Sequence, residues 1–572
     1  FGDTATPGDT FSIVIDVPWI TVFPASGALS AGGTTVQLTI NPAPLDIGTT
    51  TATILITRTQ PSSGRVSGQG QTTSTLPFSL SLVTPVTPTP RDGNAPPGTM
   101  IIPAVAHADG IGTRFQSDVR IVNVSNDEIE YDISFTPSGQ NGAQTGKQTT
   151  LKIGANDVKS FDDIVKAWYG SGVLGELGIG TIEIRPLNGA NPLATFASSR
   201  TYAIEQRGTY GQFIPAIPLE KFIGNLGSDA LAKISLQQVS NSAAYRTNVG
   251  FAEGTGSGAT IVAKLFDASN NLLGSVQRTL PPFGHEQLPL SSLFGNIPLS
   301  DGRVEVSVVS ETGRATAYAS VVDNATSDPL LVFPEQALRT AAKRYVVPGV
   351  AEFDNGPASN FHSDMRIFNA GSSPVTITLH YQPQTGDPTA PPAPVQRTID
   401  AGKVTAIDNV LPALWNLSRT GGSVRIETPS DASLVVTART FSRDEQNGTY
   451  GQFIPGVTTA QAAGAGERAL EVLQLEQSDQ FRTNLGLVEV NGQSARVEIT
   501  AYKPDSKFST AIAYDMKPNE FIQFGRIFSS MGLGTVYGGR VAVRVLEGSG
   551  RVAAYGSVVD NRTVDPTYVP AQ

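Results

Sequence analysis

The sequence predicts an all-β protein built from repeated antiparallel β-sandwiches, and three observations carry this prediction. First, Gly-Thr-Tyr-Gly-Gln-Phe-Ile-Pro occupies residues 208–215 and recurs letter for letter at 448–455. Second, Ser-Val-Val-Asp-Asn at 320–324 recurs at 557–561. Both recurrences lie about 240 residues on, so a large block was duplicated. Third, the chain is rich in turn formers, with 58 Gly and 39 Pro, and alternating apolar residues outline many short strands.

The composition limits the classes of protein that fit the chain. At 572 residues it exceeds what one hydrophobic core can serve, and only 16% of the residues are charged. The net charge is −10 without a dense run of Lys or Arg, so we expect no nucleic-acid partner. Cysteine is absent, which excludes disulfides and thiolate metal sites and is common in large proteins that bacteria export. No apolar run of about 18 residues occurs, so no transmembrane segment is predicted. We interpret residue 1 as a processed or truncated start.

Residues 1–83 are predicted to form one Ig-like β-sandwich. Apolar residues alternate with less apolar ones over 11–17 and 36–40, as expected for half-buried strands. Between them, residues 18–27 read Pro-Trp-Ile-Thr-Val-Phe-Pro-Ala-Ser-Gly. This stretch resembles the Trp-apolar-x-Val-x-Pro-x-Ser-Gly sequence of bacterial Ig-like modules of the BACON type. The resemblance implies a spacer or a carbohydrate-associated appendage. Residues 84–98 contain closely spaced prolines, which predict an extended linker.

The rest of the chain is predicted to hold four related sandwich modules, A1, B1, A2 and B2. Each opens with an aromatic residue, any residue, Ser or Thr, and Asp or Asn, and each closes on an apolar residue followed by a strand-ending proline. A1 matches A2 best and B1 matches B2 best, so we interpret the order as a duplicated A-B pair. The modules are assigned to 99–225, 226–344, 345–465 and 466–572. Each is predicted to contain a short helix, at 162–168, 291–294, 408–415 and 525–531.

These modules resemble uncharacterised tandem repeats of large secreted bacterial proteins, and the resemblance implies no activity. Each module is long enough to bury a core of its own. Since short connectors join them, we expect a rod with five separate cores.

The sequence shows no recognisable catalytic motif. Only four histidines occur, and they form no HxH, HExxH or HxxE pattern. We interpret them as ordinary surface or turn residues: His107, His285, His362 and His380. A Gly-x-Ser-x-Gly elbow and a P-loop are also missing, whereas a carboxylate pair for glycoside hydrolysis stays open. We expect a non-enzymatic protein without a cofactor.

Two acidic loops offer a choice between a calcium site and a turn. Asp323 and Asp328 lie in one Asp-Asn-x-Thr-x-Asp-Pro sequence, and Asp560 and Asp565 lie in its copy. Oxygen ligands at alternating positions suit Ca²⁺. The alternative is a turn in which Asp and Asn side chains bond their own backbone. We favour the turn, because the glycine and terminal glutamate of an EF-hand-like loop are missing, and we expect no metal.

The repeated eight-residue sequence also has two interpretations. Its aromatic residues Tyr210 and Phe213, with the copies Tyr450 and Phe453, could form a platform for a sugar. They could instead pack as the last strand of each A module, with glycines that allow close approach. We favour packing, and we expect a junction with the following B module.

A comparison of the modules predicts two ion pairs. The A modules carry Asp118 and Asp364 in the opening motif and Arg200 and Arg439 in a late strand, whereas the B modules carry Asn and Val there. A buried aspartate needs a cation or several donors. We therefore predict the pairs Asp118–Arg200 and Asp364–Arg439. The alternative is that the arginines point outward.

These observations favour a non-enzymatic exported protein with a structural or adhesive role at the bacterial cell surface or in an extracellular assembly. A filament subunit fits, with copies pairing through the N-terminal segment or an exposed sheet edge. The alternative is an extracellular protein that binds surface glycans, or the non-catalytic part of a larger secreted enzyme.

Overall fold

The computed structural model describes most of the chain, in two compact units. The units are residues 1–84 with 160–162, and residues 85–159 with 163–572. The described residues are 9–29, 34–41, 45, 48–60, 70–82, 91, 93–110, 113–169, 178–187, 190–205, 208–225, 232–336, 341–354, 360–443, 448–504 and 509–572.

The N-terminal unit contains a four-stranded and a two-stranded antiparallel sheet. The strands are β1 Thr10–Ile15, β2 Ile20–Phe23, β3 Ser26–Ala28, β4 Gln37–Ile40, β5 Gly48–Gln60 and β6 Gly70–Leu82. The sheets have the orders β3-β1-β5-β6 and β2-β4. Phe11 and Ile13 of β1 are buried against Ile54 and Ile56 of β5, in agreement with the alternation in the sequence.

One expectation for this unit needs correction. Leu38 and Ile40 of β4 were expected to be half-buried, but every residue of this strand is exposed, because β4 pairs with β2 alone in a two-stranded ribbon. The pairing of the N-terminal segment or an exposed edge with a second copy stays a prediction, and β1 offers only part of an edge for it. This strand already pairs with β5 along its whole length and with β3 over its first three residues.

The larger unit consists of four sandwiches, and A1 and B1 come first. The strands of A1 are β7 Met100–Asp109, β8 Arg114–Asn123, β9 Ile129–Pro137, β10 Lys147–Ile153, β11 Val158–Phe161, β12 Gly178–Pro186, β13 Thr195–Glu205, β14 Gly208–Pro215 and the short β15 Ile217–Pro218. The strands of B1 are β16 Ile234–Asn241, β17 Tyr245–Glu253, β18 Ala259–Asp267, β19 Leu272–Leu280, β20 His285–Pro289, β21 Leu299–Val308, β22 Ala315–Asp323 and β23 Pro329–Val332.

A2 and B2 repeat this pattern. The strands of A2 are β24 Ala342–Asp354, β25 Asn360–Asn369, β26 Val375–Pro383, β27 Val395–Ile399, β28 Val404–Ile407, β29 Thr420–Ala432, β30 Leu434–Arg443, β31 Thr449–Pro455 and the short β32 Val457–Thr458. The strands of B2 are β33 Leu470–Gln477, β34 Phe481–Glu489, β35 Ala495–Tyr502, β36 Ser509–Met516, β37 Phe521–Phe524, β38 Val536–Gly548, β39 Val552–Asp560 and β40 Pro566–Pro570.

All four sandwiches share one antiparallel topology. When the main strands of a module are numbered one to eight, one layer has the order 1-6-3-4 and the other the order 5-2-7-8. In the A modules, strands one and two also pair, so that the two layers join into one nine-stranded sheet. In B1, for example, the layers are β16-β21-β18-β19 and β20-β17-β22-β23. The predicted all-β sandwich class is therefore confirmed. The closing strand of each module, numbered eight, lies at the edge of its layer.

The short α-helices of the described chain are α1 Gly142–Thr145, α2 Ile164–Tyr169, α3 Leu290–Phe294, α4 Val410–Trp415 and α5 Ile527–Ser530. Four of them, α2 to α5, connect the two layers at the predicted places, and α1, which was not predicted, connects β9 to β10 within one layer. Trp415 at the end of α4 packs on Tyr381, and its indole N–H donates to the carbonyl of Ala393 at 3.0 Å. In the part of the chain that the structure describes, no helix is both long and apolar enough to cross a membrane.

Two predicted boundaries shift. The boundary between 344 and 345 falls inside β24, so A2 begins earlier than expected; the charged Lys343 and Arg344 conceal the start of this strand in the sequence. Most of the predicted linker, residues 84–90 and 92, lies outside the described residues. Arg91 is bonded to A1, since its guanidinium group donates to Glu183 at 3.1 Å and to Thr136 at 2.6 Å.

The four sandwiches do not follow one another in a row. The closing strands β14 and β31 of the A modules each contact both β23 and β40 of the B modules. Phe213 of A1 belongs to the buried cluster of B2, and Phe453 of A2 belongs to that of B1. The first and fourth modules are therefore in contact, and the modules share core residues. This closed arrangement differs from the predicted rod of separate cores.

Candidate functional site

The two sequences that recur in the chain meet each other at two buried junctions. In the first junction, residues 208–211 of A1 bind the loop 560–565 of B2. In the second junction, residues 448–451 of A2 bind the loop 323–328 of B1. Each A module therefore binds the B module of the other half. The predicted contact with the following B module is also present, since the hydroxyl of Ser320 in B1 donates to Gln212 of A1 at 3.1 Å. The contact with the B module of the other half was not predicted.

The carboxylate of Asp560 is the centre of the first junction. Its Oδ2 accepts the backbone N–H of Thr209 at 2.8 Å and the hydroxyl of Thr209 at 2.9 Å. Its Oδ1 accepts the backbone N–H groups of Arg562 and Thr563 at 2.7 and 3.1 Å. One buried carboxylate thus closes its own loop and binds a distant module, because each oxygen has two donors. Thr563 returns a hydroxyl bond to the carbonyl of Thr209 at 3.1 Å.

The second junction repeats these bonds in B1 and A2. Asp323 Oδ2 accepts the backbone N–H and the hydroxyl of Thr449 at 2.9 and 2.7 Å. Its Oδ1 accepts the N–H groups of Ala325 and Thr326 at 2.8 and 3.0 Å. The hydroxyl of Thr326 donates to the carbonyl of Thr449 at 2.9 Å. The loops are therefore turns stabilised by Asp side chains. N–H and O–H donors occupy the oxygens of Asp323 and Asp560 that a calcium ion would need.

The glycines of the repeated sequence are required by the close approach of the two modules. Gly208 has a φ of 139°, and a Cβ there would lie 2.9 Å from Oδ1 of Asp560. A Cβ at Gly211 would lie 2.5 Å from the carbonyl oxygen of Thr201. The N–H of Gly211 donates to Asp565 at 3.3 Å, and that of Gly451 donates to Asp328 at 3.0 Å. A Cβ is therefore obstructed by the partner module at Gly208 and by the neighbouring strand of the same module at Gly211.

In the junctions, the carboxylates of Asp328 and Asp565 accept fewer hydrogen bonds than those of Asp323 and Asp560. Both side chains are buried, and Oδ1 of each has no hydrogen-bond partner among the described residues. Burial raises the pKa of the Asp565 carboxyl to about 8. Burial also raises the pKa of Asp328 well above its ordinary value, and the charge of Asp565 raises it further. The two carboxyls act on each other, so they titrate as a pair.

The predicted partners Asp118 and Arg200 lie directly opposite each other in the ladder of β8 and β13. The Arg200 guanidinium turns away from Asp118, however, and donates to the hydroxyl oxygen of Thr209 at 3.2 Å. It also lies 4.6 Å from the ring centre of Phe481 in B2. The carboxylate of Asp118 accepts the N–H of Asp163, just ahead of α2, at 2.9 Å. Arg200, which we predicted to pair with Asp118, is thus attracted by the buried carboxylates of B2.

The second predicted pair behaves in the same way. Asp364 lies opposite Arg439 in the ladder of β25 and β30, but Arg439 donates to the hydroxyl of Thr449 at 2.6 Å. Asp364 accepts the N–H of Asn409, which precedes α4, at 2.9 Å. Burial raises the pKa of Asp364. The residues of each predicted pair lie on neighbouring strands, whereas the side-chain contacts differ because the residue before a short helix supplies a donor to the acid.

The aromatic residues of the repeated sequence are packed. Phe213 is buried in B2, and Phe453 is buried in B1 at 5.9 Å from Phe333. Tyr210 is 5% exposed and lies edge-on to Phe115 within A1. Tyr450 is half-buried. The packing interpretation therefore fits the structure better than a sugar platform.

His285 corrects the interpretation of the histidines as surface or turn residues. It is fully buried in B1, where its Nε2 lies 2.9 Å from the hydroxyl of Tyr318. Burial lowers its pKa to about 3, so the ring is neutral at ordinary pH. Phe521 holds the equivalent place in B2, since both residues pair with the eighth residue of the second strand. The phenylalanine at the corresponding position of B2 was the signal in the sequence that His285 is buried.

The junctions are the candidate functional site of the protein. Sequence reasoning missed their threonines, Thr209, Thr449, Thr326 and Thr563. No group of three or more histidine, aspartate or glutamate side chains that could hold a metal occurs within the described ranges. No family model matches the sequence, and no curated protein matches it either.

Proposed function

We propose that the protein is a non-enzymatic, exported structural or adhesive component of the bacterial cell surface or an extracellular assembly. In this proposal, the four sandwiches act as one load-bearing block, and the N-terminal unit acts as a BACON-type spacer. The carrying observation is that the first junction joins residues 351 positions apart in the chain. The longest identical repeat of the sequence is thus used to hold the first module to the last one.

A load-bearing role follows from where the junctions lie in the chain. A force that separates the ends of the chain must open the bonds between A1 and B2 before it can stretch the modules between them. These bonds include two that Thr209 of A1 donates to the carboxylate of Asp560, and Phe213 is buried in the partner module. Buried charge-assisted bonds of this kind are stronger than neutral ones and are shielded from water.

The four sandwiches have strands at the edges of their layers that are available for self-assembly. The strands β19 and β36 are the outermost strands of their layers, and Leu272 of β19 is 56% exposed. Unpaired edges of this type can accept a strand from a second copy. We therefore propose that the partner is a second copy of this chain, bound edge to edge.

The glycan-binding alternative lacks a corresponding observation. The residues assigned to a sugar platform, Tyr210 and Phe213, are 5% and 2% exposed and cannot stack on a sugar in this arrangement. A sugar would have to bind elsewhere.

Single-molecule pulling on the two ends of the chain tests the load-bearing role. We expect one early event in which the A1–B2 junction opens, followed by unfolding of individual sandwiches. In Thr209→Val the early event should occur at a lower force, with the later events unchanged. Independent unfolding of the sandwiches without an early event would contradict the role.

Electron microscopy of the native material tests the assembly. Filaments or sheets support the structural role. Dispersed single molecules that bind a glycan array support the alternative.

A further inference from the structure

The four prolines that close the modules line one cavity. They are Pro215, Pro334, Pro455 and Pro570, one from each sandwich, and the cavity has a volume of about 390 Å³. We call it the proline cavity. It lies where the chain leaves the four closing strands, so residues from both halves surround it. Its volume falls within the roughly 300–1,000 Å³ of small-molecule sites.

The lining of the proline cavity is mostly apolar and carries one carboxylate. Its apolar walls include Ile217, Phe333, Val457, Leu470 and Tyr568. Glu335 and Lys221 are the ionisable side chains among its described lining residues besides Tyr568. The copy of Glu335 in B2 is Ala571, since Phe-Pro-Glu-Gln at 333–336 matches Val-Pro-Ala-Gln at 569–572. The two halves therefore differ at this point by one negative charge.

The carboxylate of Glu335 has no partner among the described residues. The backbone of Glu335 is held by Ser235, with a hydrogen bond from Ser235 N–H to its carbonyl at 2.8 Å. No hydrogen bond or ion pair of the described chain reaches its side chain. Burial raises the pKa of this carboxyl to about 7. The carboxylate is half-buried, lines the cavity and has no cation from the described chain beside it.

Aromatic rings beside the carboxylate complete a pattern that suits a cation. Tyr568 and Phe333 line the same cavity, and the charge of Glu335 contributes to the raised pKa of Tyr568, after burial and Tyr555. Ring faces attract cations, and a carboxylate neutralises them. The opposite charge is excluded, because an anion would lie against Glu335.

We propose that the proline cavity binds a small organic cation, with its ammonium or guanidinium group at Glu335 and its apolar body between Phe333 and Tyr568. This site is separate from the junctions, and the proposal does not depend on the load-bearing role. The exposed Lys221 at the cavity would compete weakly for Glu335.

Binding should depend on pH, because the ligand prefers the ionised carboxylate. The ionisable side chains that face Glu335 are Lys221, Tyr568 and Tyr345, and burial raises the pKa of both tyrosines, which therefore keep their protons between pH 6 and 8. The association constant should therefore follow Glu335 alone. We expect it to be about tenfold lower at pH 6 than at pH 8.

Titration calorimetry of the full chain with n-hexylammonium and n-butylguanidinium chloride tests the proposal. Glu335→Gln should weaken both by about tenfold or more, whereas Lys221→Met should leave binding unchanged or stronger. The control variant Glu547→Gln removes an exposed carboxylate outside the cavity. The neutral n-hexanol should bind wild type and Glu335→Gln equally. The difference between the two cations shows which head group is preferred.

Two results would overturn the proposal. One is the absence of binding of both cations to the wild-type chain at pH 8. The other is equal binding to wild type and Glu335→Gln. Thermal unfolding of each variant shows whether it folds, and Ala571→Glu provides a second variant, which should add a carboxylate to the same cavity and strengthen cation binding.

Discussion

Thr209 donates both its backbone N–H and its hydroxyl to one carboxylate oxygen of Asp560, 351 residues further along the chain. Thr449 makes the same two bonds to Asp323, 126 residues before it. The two halves of the chain thus exchange partners, as two copies of a symmetric dimer do. Four predictions follow from this exchange and from the buried charges.

Removal of the hydroxyl in Thr209→Val should destabilise the first junction by about 1–3 kcal/mol, because Asp560 loses a donor while it stays buried. Urea denaturation measures the overall effect, and hydrogen exchange of the Thr209 and Gly211 amides reports on the junction itself. Thr376→Val is the control, since Thr376 is exposed on β26, and it should change stability by less than about 0.5 kcal/mol. Equal effects of the two variants would contradict this role.

Gly208→Ala should destabilise the protein more than Gly466→Ala. Both glycines have a positive φ, 139° and 80°, so both substitutions strain the backbone by about 1–3 kcal/mol. Only at Gly208 does the added Cβ also meet a buried carboxylate, at 2.9 Å from Asp560, whereas a Cβ at Gly466 has open space. The difference in unfolding free energy isolates the contact between modules. A larger loss at Gly466 would speak against it.

The pair Asp328 and Asp565 should make stability fall as the pH rises from about 4 to 8. Both pKa values are raised in the folded protein, so the folded state holds protons that the unfolded state releases. Each group contributes at most about 1.4 kcal/mol per pH unit, fully present at low pH and lost as the pH approaches 8.

Asp565→Asn should flatten this slope, which urea denaturation between pH 5 and 9 measures. The control Asp515→Asn changes a largely exposed carboxyl and should leave the slope unchanged. An unaltered slope in Asp565→Asn would show that the junction carboxyls do not control it.

A chain of residues 91–336, which contains A1 and B1 only, should form a dimer. A1 of one copy would bind B1 of a second copy in place of the missing B2. This is possible because Asp323 and Thr326 of B1 correspond to Asp560 and Thr563 of B2. Sedimentation measures the mass. Asp323→Ala should shift the mass to that of a monomer, and Glu311→Ala, which changes an exposed side chain outside the junctions, should not. A monomer at all concentrations would exclude the exchange of equivalent partners.

Much of the sandwich architecture could be predicted from the sequence, because it depends on local patterns. Alternating residues gave the strands, and the comparison of the modules singled out Asp118 and Arg200, which lie on neighbouring strands. The choice of partner module could not be predicted. A1 faces two chemically equivalent loops, at Asp323 and Asp560, and no local pattern selects between them. The partner of the Arg200 side chain could not be predicted for the same reason, because the carboxylates that attract it lie in another module.

The separation of Thr209 and Asp560 also sets the order in which the protein can assemble during synthesis. The second junction spans 126 residues and can close once A2 has emerged, whereas the first spans 351 and must wait for the last strand. Loop closure makes the longer one about 0.9 kcal/mol less favourable. Until B2 appears, the buried surface of A1 stays open to water and to other nascent chains. When many ribosomes translate one messenger RNA at the same time, junctions between neighbouring chains are therefore favoured. Slow or dilute synthesis favours the junction between A1 and B2 of the same chain.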